Sequence, residues 1–231
     1  VLGLDTGLDL YELNQNRRVK SNQLDAKLDY YYILNQKSNL NFVGGSILSK
    51  QNFDSRFYQI LDNNSEFEPN PTIPGIANTN TANDTEYNFT DIYAGLRYRL
   101  KTGIFTFTPG FTAHAYSINN TQFGGSKMYK DSFYKFLPEF ETIAQFKRSE
   151  SLTFRYKQEV NFTDVNQLAE GLVANSYNNF FYGNNNLMNG TNQSTSLNYS
   201  NFNLYNGTSM FALLRHTKSI DQIGSIANFI L

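Results

Sequence analysis

Along residues 136–146, Phe136, Pro138, Phe140, Thr142, Ala144 and Phe146 share one side of a period-two pattern. Glu139, Glu141 and Gln145 share the other side, with Leu137 and Ile143 as exceptions. A polar turn, Lys147-Arg148-Ser149-Glu150-Ser151, follows, and then Leu152, Phe154 and Tyr156 alternate with Thr153, Arg155 and Lys157. Successive side chains of a strand point to opposite faces, so this is a hairpin with one oily and one wetter face. The clearest case is 22–34. Leu24, Ala26, Leu28, Tyr30 and Tyr32 alternate there with Asp25, Lys27, Asp29 and Tyr31. Three charges at every second position cannot face a dry core, so that face meets water and the Leu side meets lipid or a packed core.

The pattern predicts about ten strands: 2–13, 22–34, 40–60, 88–100, 104–118, 132–146, 152–162, 194–205, 208–217 and 223–231. Short connections join some of them: Asn35 to Asn39, Lys101-Thr102-Gly103, Lys147 to Ser151, and Asn206-Gly207, a preferred hairpin dipeptide. Between these lie long polar segments, about Asp62 to Tyr87, Asn119 to Lys130 and Thr163 to Gln193, the last with Asn-rich runs. We read all three as solvated outer loops. Alternation of tight turns and long loops is the sequence form of an outer-membrane barrel.

Hairpin arithmetic gives expected registers. Pairing Leu100 with Phe105 sets Tyr98 opposite Phe107, Ala94 opposite Phe111 and Ile92 opposite Ala113. It also sets Arg97 by Thr108, Arg99 by Thr106, Gly95 by Gly110 and Asp91 by His114. In the next hairpin Phe146 faces Leu152, Ala144 faces Phe154, Thr142 faces Tyr156 and Glu141 meets Lys157. That register sets Glu139 against Glu159, a like-charge pair that counts against it. In the first hairpin Leu34 faces Leu40 and Tyr32 faces Phe42. A one-residue slip would mix the faces in each.

A soluble β-sandwich also alternates. Strands of 11–15 residues favour lipid, since soluble strands are mostly about 5–6 residues long and a tilted membrane strand needs about 9–11. Aromatics gather near the turns (Tyr98, Phe105, Phe107; Phe146, Phe154, Tyr156), as an interfacial girdle would. The fold class expected is all-β, an antiparallel up-and-down transmembrane barrel.

Composition narrows this further. Among 231 residues, 16% are aromatic, with 20 Phe and 16 Tyr, which suits strands, and only 17% are charged. Mean hydropathy is -0.48, a value a barrel shares with soluble proteins because only alternate residues meet lipid. No run of about 18 apolar residues exists, so no helical span is expected. The formal net charge of -1 gives no general pull on nucleic acid, and the absence of cysteine excludes disulfides and Cys metal sites.

Several of these residues carry a resemblance. They are Phe136-Leu137-Pro138-Glu139-Phe140, Leu152 to Asn161, Val165-Asn166-Gln167-Leu168, Tyr182 to Leu187, Leu197 to Phe202, and the Asn206-Gly207 turn. Over about 88–217 the chain resembles the outer-membrane β-barrel of Bacteroidetes-type TonB-dependent receptors. It departs where Asn184-Asn185-Asn186-Leu187-Met188 lacks the family's Pro and Pro-Glu, and where Asn161 to Asp164 replaces an Arg-Pro. The resemblance implies a bacterial outer-membrane protein that takes up a solute at the expense of energy. Its barrel would have about 22 strands around a plug, and its partners would be lipid, the remaining strands and plug, TonB and a surface lipoprotein. On this reading 1–231 is one β-barrel region, an internal or partial piece. A complete ten-stranded barrel is the runner-up.

No catalytic constellation stands out, and neither an enzyme, a cofactor, a metal nor a nucleic-acid partner is expected. His114 near Asp91 has the form of a base with its orienter, but a cross-strand polar pair is the plainer reading; His216 lies on another hairpin. Phe123-Gly124-Gly125 lacks the strand–helix context of a phosphate loop. The residues expected to face the lumen and meet plug or cargo are Asp91, Arg97, Arg99, Glu139, Glu141, Arg155 and Lys157. A structural barrel subunit of an export or assembly complex is the alternative function, and a secreted adhesive β-domain a third.

Overall fold

The computed structural model describes residues 3–5, 7, 12–72, 80–176, 179–203, 205 and 207–227. Its strands are β1 (Glu12–Asn35), β2 (Ser38–Ile60), β3 (Glu66–Phe67), β4 (Ala82–Thr102), β5 (Phe105–Gln122), β6 (Lys127–Lys147), β7 (Glu150–Asn161), β8 (Val173–Ser176), β9 (Asn179–Phe181), β10 (Gly190–Asn203) and β11 (Thr208–Ile220). One short helix, α1 (Val165–Leu168), lies between β7 and β8. Eight long strands form one antiparallel meander in the order β1-β2-β4-β5-β6-β7-β10-β11. β3 adds to the end of β2, and β8 pairs only with β9.

The two faces differ as the alternation predicts. On β1 the outward side chains Leu24, Leu28, Tyr30 and Tyr32 are exposed, Leu28 to 72%. Phe42 and Leu48 on β2, Ile92 on β4, Phe105 and Phe111 on β5, and Tyr134 and Phe136 on β6 are likewise exposed. No second sheet covers them among the described residues. The opposite face carries the buried Val43, Phe53, Phe57, Tyr87, Tyr116 and Ile118. On β1, β4, β5 and β6 the outward, largely apolar run spans about the 9–11 residues a tilted strand needs to cross a bilayer. On β1 it runs from Leu24 to Tyr32 and on β4 from Ile92 to Leu100.

The strands continue well past that run. β1 has 24 residues and β2 has 23, roughly 80 Å of strand at about 3.3 Å per residue. Beyond the band their outward positions turn polar: Lys20, Asn22, Lys50, Glu86, Asn88 and Asn119. An ion pair of 2.8 Å joins Lys50 to Glu86 on this rim. The polar stretch 14–21 is therefore strand, not a connection between two strands, because its backbone pairs with 51–58 of β2 without needing an oily face. Of the expected strand 2–13, residues 3–5 and 7 have no strand structure, 12–13 open β1, and the other half falls outside the described residues. Of the expected strand 223–231, residues 223–227 have no strand structure and 228–231 fall outside the described residues. The segment Asn119 to Lys130 is not a long loop either: β5 and β6 run through it and meet at a 3-10 turn, Phe123–Gly125.

All three expected registers differ from the observed ones by two residues, with the faces kept. Tyr32 pairs with Leu40 and Tyr30 with Phe42. Leu100 pairs with Phe107, Ala94 with Ala113, and Asp91 with Tyr116. Ala144 pairs with Leu152, Glu141 with Arg155, and Glu139 with Lys157. The cause lies at the tips. Each turn holds only two residues, Gln36-Lys37, Gly103-Ile104 and Arg148-Ser149. Bulges at Leu34 and Phe146 remove those residues from the outward ladder. The observed register also dissolves the Glu139–Glu159 clash. The β6–β7 ladder runs only from Glu139 to Lys147. It stops next to Pro138, whose ring nitrogen has no hydrogen to donate.

The register gives a direct test. Oxidation should cross-link Ala94→Cys with Ala113→Cys, which stand directly opposite. Ala94→Cys with Phe111→Cys, the register offset by two, should stay reduced, as read by mass spectrometry of the peptides.

Candidate functional site

The inner face of the meander divides into two zones. Near the tight turns it is lined by charged and polar side chains. Towards the loop end it is covered by the β7–β10 connection, which folds back inside the sheet.

The charged zone follows from strand parity. Asp25, Lys27 and Asp29 on β1, Asn41 on β2, Asp91, Arg97 and Arg99 on β4, Glu139 and Glu141 on β6, and Arg155 and Lys157 on β7 all occupy inner positions. Most are paired with one another. Lys27 Nζ lies 2.8 Å from Asp29 Oδ2. Asn41 Nδ2 donates to Asp29 Oδ1 at 3.5 Å, and an Arg97 amino group donates to Asn41 Oδ1 at 3.5 Å. Arg97 Nε also donates to Glu139 Oε1. Arg155 Nε donates to Glu141 Oε2 at 2.5 Å, and Lys157 pairs with Glu159. A ladder of compensated charge thus crosses the wall from β1 to β7. Among the described residues, Arg99 forms no ion pair; it stands exposed near the turns.

Gly110 makes one rung possible. It sits directly between Arg97 on β4 and Glu139 on β6. A Cβ there would lie 2.8 Å from Arg97 Cγ and 3.1 Å from Glu139 Oε1. Only a hydrogen at this position lets the guanidinium and the carboxylate meet across the intervening strand.

Above the ladder, His114 Nδ1 lies 2.9 and 3.0 Å from the two carboxylate oxygens of buried Asp91. Its Nε2 lies 3.1 Å from Thr112 Oγ1. The expected register set these two side by side; the observed one makes them diagonal neighbours, and the pair still forms. The imidazole is stacked between Tyr93 and Tyr116, with ring centroids 5.2 Å away on either side. Both ring nitrogens and both faces are thereby engaged, so the polar-pair reading describes this histidine. His216 stands on β11 opposite Thr195, exposed on the outward side.

The second zone overturns the reading of Thr163 to Gln193 as a solvated loop. Asp164 caps α1 in a capping box with Gln167. Val165, Leu168, Ala169 and Val173 are then buried against Phe53, Tyr87 and Ile118 of β2, β4 and β5. Wall side chains hold its backbone. Gln15 of β1 brackets Ala174, donating to its carbonyl at 3.2 Å and accepting from its N–H at 2.6 Å. Gln122 of β5 donates to the Leu168 carbonyl at 2.8 Å and accepts from the Glu170 N–H at 3.1 Å. Asn83 of β4 accepts from the Gly171 N–H at 2.6 Å. A Cβ on Gly171 would lie 2.3 Å from the Ala82 carbonyl oxygen, so the approach requires glycine. Lys127 pairs with Glu170, and this hydrogen bond raises the Lys127 pKa. Sequence reasoning missed Gln15, Asn83, Asn120 and Gln122. The available signal was polar residues at inner parity beyond the apolar band.

The model of a family described as "Outer membrane protein beta-barrel family" matches residues 5–228. No curated protein matches the chain. Among solved structures it is similar to a crystal structure of the ferric citrate transporter FecA in the unliganded form. Identity is 12% and the TM-score is 0.47, over 90% of this chain and 32% of that one. The chain thus spans about a third of that structure's length.

The Arg97–Glu139 rung can be tested by a double-mutant cycle in unfolding experiments. Arg97→Gln and Gly110→Val should each lower stability by about 1–2 kcal/mol, a figure reduced because the pair is partly exposed. Combined, they should cost clearly less than the sum, since both break the same pair.

Proposed function

The chain belongs to the outer membrane protein beta-barrel family, and from that premise we propose that it is part of the wall of a plugged, TonB-dependent uptake receptor. Its place is the bacterial outer membrane. The oily face meets lipid, the tight turns point to the periplasm and the long ends to the outside.

The carrying observation is the open sheet with a folded segment inside it. Among the described residues β1 and β11 are edge strands, each paired on one side only. Inside the hydrocarbon an unpaired edge is not tolerated, because no water is present to satisfy its N–H and C=O groups. Pairing β1 to β11 would close eight strands, and a barrel of about eight has room for its own side chains or one small ligand, not for a folded segment. The β7–β10 segment, with its own helix, hairpin and apolar core, needs a wider barrel. Further strands beside β1 and β11 therefore complete a larger wall, with room for a plug. The resemblance sets its size at about 22 strands and adds TonB and a surface lipoprotein as partners.

In this reading the barrel does no covalent chemistry. Asp91, Arg97, Glu139, Glu141, Arg155 and Lys157 give the plug and the solute a polar wall of balanced charge. Arg99, outside the ladder, offers a cation near the periplasmic end to an acidic group of the plug.

A strain lacking the full-length protein, grown on a panel of iron complexes, glycans and peptides, tests the function. Uptake predicts a growth defect on at least one of them that loss of TonB reproduces. A defect on none, with the envelope otherwise damaged, supports a structural subunit and contradicts uptake. The lipid face has its own test. Leu96→Arg, outward in the middle of the band, should cost about 2–4 kcal/mol of stability in bilayers. Thr108→Arg, inward and opposite Glu141, should cost under about 1 kcal/mol.

A further inference from the structure

The β7–β10 connection is built like a part of the wall. It leaves β7 at Asn161 and reaches β1 at Gln15, five strands away along the sheet. Five strand spacings of about 4.8 Å amount to roughly 24 Å, which the segment crosses through the interior. On the way its main chain meets β5, β4 and β1 in turn, and its side chains also pack on Phe53 of β2. A lid that swings would have few buried contacts and a solvated backbone. This segment has the reverse: Val165 and Leu168 are 1% and 2% exposed. Its main chain from Leu168 to Ala174 is held by Gln122, Asn83, the Asn80 carbonyl and Gln15. Asn120 of β5 also donates to Asn185 at 2.7 Å. The wall residues that receive it, Phe53, Tyr87 and Ile118, are apolar at inner positions where a water-filled lumen would favour polar ones.

We infer that residues 162–176 and 179–189 form a fixed ledge, permanently docked on the inner wall of the outer half of the barrel, which narrows the route a solute takes. This ledge requires only the outer-membrane barrel and stands whether or not the protein performs TonB-dependent uptake.

Residues 1–231 hold no cysteine, so a single thiol placed among them, in a full-length protein cleared of any other cysteine, reports docking directly. In the full-length protein on intact cells, Ile118→Cys beneath the ledge should react with a membrane-impermeant maleimide at least a hundredfold more slowly than Ser126→Cys at the exposed β5–β6 tip. Folding of each variant is checked by heat-modifiable gel mobility. Independently, hydrogen exchange of the unaltered protein in lipid should show the Glu170 to Ala174 amides as protected as those of β4 and β5. Asn83→Ala with Gln122→Ala should accelerate those amides at least tenfold without changing the strands. Reaction of Ile118→Cys within tenfold of Ser126→Cys would overturn the ledge. So would exchange of Glu170 to Ala174 as fast as at Asp62 and Asn63. If Ile118→Cys does not fold, the exchange measurement alone decides.

Discussion

One constraint orders the whole molecule: in hydrocarbon, the backbone must satisfy its own hydrogen bonds. A meander of long antiparallel strands does this within its interior, and the pleat then sorts side chains strictly into two sets. One set meets lipid and must be oily, as Leu24 to Tyr32 are at every second position. The other meets the interior and is free to carry Asp25, Lys27 and Asp29. The same constraint makes the edges β1 and β11 the least self-sufficient parts of the sheet.

The inner face shows how charge and apolar surface share one lumen. Near the tight turns acids and bases neutralise each other across strands, so the wall is polar without a strong net field. The glycine between Arg97 and Glu139 matters as much as the charges, because it opens the gap the pair spans. Towards the other end the wall becomes aromatic, and the β7–β10 segment covers it. Asp91 and His114 mark the border. Their pair is stacked against Tyr116, which in turn packs on Phe162 at the root of the ledge, with ring centroids 4.9 Å apart.

Face assignment was legible in the sequence because period-two alternation is a local signal. Register was not, because a slip of two residues leaves every side chain on its own face. Only the turn lengths and the bulges at Leu34 and Phe146 decide it, and polar tip residues such as Lys101 and Thr102 read equally well as turn or strand. Charge could have settled one case, since only the observed register sets Glu139 against Lys157. The reach of β1 through residues 14–21 was hidden for a related reason. Strand beyond the membrane needs pairing but no oily face, so its residues look like loop. The ledge was the least legible part. Its Asn-rich composition reads as solvated, and its burial depends on partners about 50 to 160 residues away in sequence. The placement of the inner charges was readable from parity, whereas the partner each one takes needed the register.

The orientation of the oily face can be measured by scanning spin labels along residues 91–98 of β4 in the full-length protein in bilayers. Ile92, Ala94, Leu96 and Tyr98 should show high accessibility to oxygen and low accessibility to a water-soluble nickel reagent. Asp91, Gly95 and Arg97 should show lower oxygen accessibility, giving a period of two. Uniform shielding from both reagents at the even positions would place them against another protein layer and contradict the membrane barrel.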